Sequence, residues 1–195
     1  MGRPIKFNRD EAVIKVMNEI WEHGYGACSD RAISEKLGIS RSSLYNAFGT
    51  RENLFIEVMA AYNGAGASDM FVIDETSCVL KVITEQVHKI CKARIDDNLA
   101  RGCLAINCLN ELLGKNERLE SIITDVFANN IAFFEKLLAI AVERGELNEC
   151  DLRIKALALQ NLIIGLNVIS KLIRNEDELW ATTKHSLQGL GLYSE

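Results

Sequence analysis

Apolar residues recur along most of this chain at intervals of three and four positions, the mark of amphipathic helices. Val13, Val16, Met17, Ile20 and Trp21 form one stripe of a helix predicted from about Arg9 to His23, with Gly24 as its stop. Ser29 is placed to cap a second helix, Asp30 to Leu37, and Asp30 puts negative charge in its first turn. Gly38 ends that helix, Ile39 fills the turn, and Ser40 caps a third helix through Ala47. Gly49 and Thr50 repeat the stop-and-cap grammar before a fourth helix, Arg51 to about Asn63, whose apolar stripe runs through Leu54, Phe55, Val58, Met59 and Tyr62. Gly64, Gly66, Ser68 and Asp69 break the pattern and mark a boundary. Beyond it the periodicity predicts five more helices, at about Glu75–Ile95, Ala100–Leu113, Leu119–Arg144, Leu152–Arg174 and Glu176–Leu190. In that reading Gly102 falls inside a first turn. The prediction is an all-α protein of about nine helices, divided into a head (1–63) and a helical body (64–195). A single proline, Pro4, in 195 residues agrees, since average usage would give about ten and helix interiors tolerate proline least.

The first three helices are short, and the second and third are separated by little more than Gly38. That is the pattern of a helix-turn-helix, here spanning about 29–48. Ala32, Ile33, Leu37, Ile39, Leu44 and Phe48 supply the apolar contacts that lock its two helices together. The outward face of the second carries Arg41, Ser42, Tyr45 and Asn46, with Ser43 near its edge. Such a set suits a DNA major groove, where arginine pairs with guanine and asparagine with adenine. Ser29 and Ser40 read equally as plain caps or as phosphate contacts, since a helix N-terminus favours an anion. Tyr45, Thr50 and Arg51 stand where phosphates would pass, with a packed aromatic as the other reading of Tyr45. The arm with Arg3, Lys6 and Arg9 is expected to track the DNA backbone or to put Arg3 into the minor groove.

Charge qualifies this picture. The chain is acidic overall, at −5, which by itself argues against nucleic acid. Residues 1–51, however, carry eight basic groups against six acidic ones, and the remainder carries 14 against 21. A basic end on an acidic body is the distribution of a polyanion-binding head. No secretory h-region follows Met1, and the charge-free apolar stretch from Ala156 to Ser170 is short for a bilayer, so the cytoplasm is expected. Six cysteines in that compartment are expected as thiols. None forms a Cys-x-x-Cys pair, the three histidines are scattered, and no phosphate-cradling or nucleophile motif occurs. No metal, no cofactor and no enzymatic activity are expected.

The stretch from Gly2 to Tyr62 resembles the N-terminal domain of TetR-family transcriptional regulators. The likeness rests on the Gly24-Tyr25 pair, Ser29 before the second helix, the Leu37-Gly38-Ile39-Ser40 turn and the Leu44-Tyr45-x-x-Phe48 run. Arg51 stands where the family usually has lysine, which keeps the charge and changes the donor geometry. The resemblance implies a homodimer that occupies a near-palindromic operator and leaves it when a small-molecule effector binds. In the last two long helices, Leu157, Leu162, Ile164, Gly165, Val168, Ile169 and Leu172 cover too much circumference for one wet side. The resemblance makes Leu157, Leu162, Gly165, Ile169 and Leu172 a dimer interface, and Phe71, Ile106, Phe127, Phe133 and Phe134 candidate lining for the effector pocket. Arg101-Gly102-Cys103-Leu104 is similar to an element of family members that sense electrophiles or oxidants. It makes Cys103 a candidate trigger, with Arg101 expected to favour its thiolate. Cys108 lies about 140° around the helix, which strains a disulfide, and Cys91 is another candidate partner. A helical interaction module without DNA binding is the remaining alternative; steep salt dependence of duplex binding separates the two.

Overall fold

The computed structural model describes residues 8–63 and 70–195. Nine helices are described: α1 (Arg9–His23), α2 (Asp30–Leu37), α3 (Arg41–Phe48), α4 (Arg51–Tyr62), α5 (Val79–Asp96), α6 (Leu104–Leu112), α7 (Glu117–Glu143), α8 (Leu152–Ile169) and α9 (Glu176–Gly189). No strand occurs among the described residues. Side-chain oxygens of Asn8, Ser29, Ser40, Thr50, Asp151 and Asn175 accept backbone N–H groups at the starts of α1 to α4, α8 and α9. Each satisfies a donor that the helix itself leaves unpaired, at about 1 kcal/mol per cap.

Two compact units result. The first holds residues 8–63 together with Leu104–Thr124, and the second holds residues 70–103 and Asp125–Glu195. The first unit is therefore wider than the 1–63 head read along the chain. Its α1 packs against α4, α2 and α6, burying Val16, Ile20, Ile33, Leu44, Phe48, Leu54, Phe55 and Val58. A fully buried side chain of this size contributes roughly 1.5–3 kcal/mol. Charged links tie the same helices: Lys36 Nζ lies 2.5 Å from Glu19, joining α2 to α1. Arg9 does not follow the expectation of a backbone-tracking arm. Its Nε donates to Glu57 of α4 at 2.9 Å, another nitrogen donates to the Ala47 carbonyl, and its guanidinium covers the Phe48 ring at 4.6 Å.

In the second unit α9 packs on α5 and α8. Val79, Ile83, Val87, Leu138, Leu159, Leu166, Leu179 and Leu187 form its core. Several predicted boundaries move, each for a local reason. The fifth helix begins at Val79, four residues later than the periodicity suggests, because Asp74 gathers the segment before it into a turn. One of its carboxylate oxygens accepts from the backbone N–H groups of Thr76 and Ser77 and from both hydroxyls, each at 2.8 Å. The sixth begins at Leu104, not Ala100. Ala100 and Gly102 have φ of 50° and 70°, a left-handed backbone no α-helix contains. Gly102 thus precedes the first turn, where a Cβ would lie 2.7 Å from the Asn167 carbonyl oxygen. The eighth stops at Ile169 instead of Arg174, and Arg174 donates to the carbonyls of Arg94, Ile95 and Asp97, the orphaned acceptors at the end of α5.

Candidate nucleic-acid interface

The turn between α2 and α3 rests on Gly38, which adopts the left-handed conformation (φ 66°, ψ 30°) while its N–H and that of Ile39 return to the carbonyls of Glu35 and Ser34. With Ile33, Leu44 and Phe48 buried, α3 has one face inward and the other open. Arg41, Ser42, Ser43, Tyr45 and Asn46 are all exposed. The large ring of Tyr45 is 47% accessible, which excludes the packed-aromatic reading. Its hydroxyl donates to the Asp30 carboxylate on the first turn of α2, and that bond holds the phenol above its ordinary pKa.

The start of α3 gathers three hydroxyls. Ser40 Oγ accepts the Ser43 N–H at 3.1 Å and lies 2.8 Å and 2.9 Å from the hydroxyls of Ser42 and Ser43. Ser29 and Thr50 cap α2 and α4 through the N–H groups of Ala32 (3.2 Å) and Asn53 (3.1 Å), and both are exposed. Three helix starts thereby present capping hydroxyls within one unit. Arg51, expected near a phosphate, is engaged within its own unit. Its guanidinium stacks on the Tyr25 ring at 4.3 Å, Nε donates to the Tyr25 hydroxyl and another nitrogen to the Cys28 carbonyl, both at 3.2 Å. Arg51 holds the loop that delivers Ser29, and the same groups wall a polar recess of about 390 Å³ with Asp30, Glu52 and Asn116. Arg3 lies outside the described residues.

Sequence reasoning missed Glu111 of α6, whose carboxylate accepts the N–H groups of Tyr25 and Gly26. No local signal marks it, since the two partners lie 86 and 85 residues away.

The remaining candidates divide between the units. Phe71, Phe133 and Phe134 come together in the second unit with ring centroids 5.4–6.3 Å apart. Phe127 is half-buried in that unit, whereas the buried Ile106 belongs to the first. On α8 two buried amides, Gln160 and Asn167, each keep a carbonyl oxygen without a hydrogen-bond partner among the described residues. Cys91 is buried and bonded to the Thr183 hydroxyl at 3.5 Å, and burial pushes its thiol up. Cys108 is buried as well; Cys103 is half-buried immediately before α6. Arg101, expected beside that thiol, has its Nε 3.2 Å from the Asp97 carboxylate. Leu157, Leu162 and Ile169 are half-buried, Gly165 is exposed, and Leu172 is 79% accessible. With α9, this face frames a groove of about 560 Å³ lined by Leu162, Gly165, Ile169, Thr182, Ser186 and Leu190, among others.

Comparison with known proteins matches both ends of this architecture. Residues 17–58 match the family described as bacterial regulatory proteins, tetR family, and residues 80–185 match the tetracyclin repressor-like C-terminal domain. The chain is 29% identical over 189 residues to an uncharacterized HTH-type transcriptional regulator of Bacillus subtilis, YezE, covering 92% of this chain and 94% of the relative. It is 26% identical over 173 residues to the HTH-type transcriptional repressor ComR of Escherichia coli, covering 87% and 82%. Among solved structures it is similar to a cysteine mutant of the TetR family transcriptional regulator CifR complexed with a 26-base-pair operator DNA. There the TM-score is 0.81 at 26% identity, covering 96% of this chain and 98% of that one.

Proposed function

The chain belongs to the tetR family of bacterial regulatory proteins, and from that premise we propose that it is a dimeric transcriptional repressor, released from its operator by a small molecule. The observation that carries this reading is the open face of α3, where Arg41, Ser42, Tyr45 and Asn46 stand exposed above a buried Leu44 and Phe48. Arg41 and Asn46 read base edges; Ser29, Ser40, Ser43 and Thr50 bind phosphates, and Tyr45 does so by turning its hydroxyl proton from Asp30 to the phosphate; Arg51 positions the loop that carries Ser29. The protein works in the cytoplasm, where operator DNA is, and has a regulatory rather than an enzymatic role.

The second copy is supported by α8. This helix is long and apolar enough in composition to cross a membrane, yet it carries Gln160, Asn161 and Asn167, and Arg153 pairs with Glu135 at 2.6 Å. Ile154, Val168 and Leu172 are exposed in the single chain. Covering them with the same face of another copy satisfies a closed two-fold interface. For the effector, the aromatic trio Phe71, Phe133 and Phe134 supplies apolar lining, and the unpartnered oxygens of Gln160 and Asn167 favour a molecule with hydrogen-bond donors. Burial of Cys91 and the pairing of Arg101 with Asp97 favour such a ligand over a thiol trigger at Cys103.

The test is selection of bound sequences from random duplex DNA, followed by titration of the selected site at two salt concentrations. A regulator that neutralises several phosphates loses affinity steeply with salt. Arg41→Ala or Tyr45→Ala weakens that binding while melting as the parent does. Salt-independent retention, or full affinity in both variants, rules the assignment out.

A further inference from the structure

We propose that Glu111 is a positioning residue for operator binding: it fixes the loop that delivers the start of α2 to the DNA. The proposal rests on the operator reading above and adds a residue outside the helix-turn-helix to it. Everything involved lies within the first unit.

The loop from Gly24 to Cys28 is short, and it is held at both ends. At its start the two Glu111 carboxylate oxygens divide the work. Oε2 accepts the Tyr25 N–H at 2.8 Å and Oε1 accepts the Gly26 N–H. At its end Arg51 donates to the Cys28 carbonyl and stacks on the buried Tyr25 ring. Ser29 follows at once as the cap of α2. The two glycines mark how closely the carboxylate approaches. A Cβ on Gly24 would lie 2.9 Å from Oε2, and one on Gly26 would lie 2.6 Å from Oε1. Two successive N–H groups aimed at one carboxylate form a bidentate, charge-assisted contact, stronger and more directional than a neutral bond. Helices α1 and α6 also pack against one another. The effect of the carboxylate contact is to set where the loop, and hence the N–H groups at the start of α2, stand relative to α3.

The phosphate that meets α2 needs those N–H groups at one place. Freed from Glu111, the loop keeps its hydrophobic anchor at Tyr25 but loses its backbone register. Operator affinity then falls because a phosphate contact is lost, with base reading by α3 intact.

Two variants reach the clamp from opposite sides. Glu111→Gln leaves one acceptor and turns an NH2 group toward a backbone donor. Gly26→Ala, at a position without positive φ, puts a Cβ against Oε1 and displaces the carboxylate while leaving Glu111 in place. In the intact dimer both are expected to weaken binding to the selected operator about tenfold. In both, the slope of log affinity against log salt falls by about two phosphates' worth, one for each head of the dimer. Amide exchange at Tyr25 and Gly26 quickens in both, and base preference at each operator position is retained. A variant that merely unfolds in part lowers the active fraction without changing the slope. Unchanged affinity and slope in both variants, beside an unaltered chain that binds its operator, overturns the proposal alone. An unaltered chain that retains no duplex overturns the operator reading, and this proposal with it.

Discussion

Tyr45 and Asp30 show what a single residue adds to, and withholds from, the site. The exposure of Tyr45 was legible from its spacing: Leu44 and Phe48 take the inner face of an eight-residue helix, so Tyr45 must point out. Its partner was not legible, because Asp30 read only as a favourable charge for the α2 dipole. In the structure that carboxylate accepts the Tyr45 hydroxyl, which keeps the phenol oriented and raises its pKa. The same carboxylate puts a negative charge beside the capping Ser29, where DNA phosphate is to approach. Asp30 is therefore expected to discriminate against loose, non-specific contact. Asp30→Asn should tighten binding to unrelated duplex by about 1 kcal/mol at low salt, narrowing the ratio between operator and non-specific affinity. Competition with unrelated DNA measures that ratio, and an unchanged ratio contradicts the role.

At the scale of the element, helices were legible wherever an apolar stripe ran between a glycine and a capping side chain. Ser29, Ser40 and Thr50 all cap as their position before a stripe implies. Starts that depend on other signals were not. Glu75–Ser77 is read as part of a helix, but Asp74 competes for its backbone, one carboxylate oxygen accepting two of its N–H groups and two of its hydroxyls. Likewise the left-handed Ala100 cannot be read from a residue that prefers helices. The contact of Glu111 with Tyr25 joins residues whose sequence separation hides it. The Asp74 turn carries its own pH signature. Those bonds favour the ionised carboxylate and lower its pKa to about 2. A depressed acid stabilises the fold above its ordinary pKa and loses that contribution as pH falls through the folded value. Asp74→Ala should therefore melt below the parent at pH 7. The gap should narrow between about pH 4 and pH 2 and close below that. Melting curves at pH 7, 4 and 2 check the sign, and a gap that widens in acid excludes it.

For the whole molecule, the charge distribution bears on why a second copy matters. Of the basic residues that make the first 51 positions net positive, Arg9, Arg31 and Lys36 are paired with Glu57, Glu35 and Glu19, and Arg51 is stacked on Tyr25. Three of the eight basic residues of one head are thus spent on internal ion pairs, on a chain whose net charge is −5. Its affinity has to come from a few base and phosphate contacts, and two linked heads raise it through effective concentration. Leu172 tests this dependence, because it is the most exposed of the large apolar side chains on the proposed dimer face and contributes little to the single chain's core. Leu172→Asp should leave the helical content of the monomer intact while dissociating the dimer, as seen by sedimentation. Operator affinity should fall by at least about a hundredfold, with a salt slope near half the parent's. Joining two variant chains through a flexible linker should recover much of the affinity without restoring the interface, since the linker replaces what the apolar face supplied. A Leu172→Asp protein that is monomeric yet binds the operator as tightly as the parent would mean that one head suffices, and the two-fold reading of the site would fall.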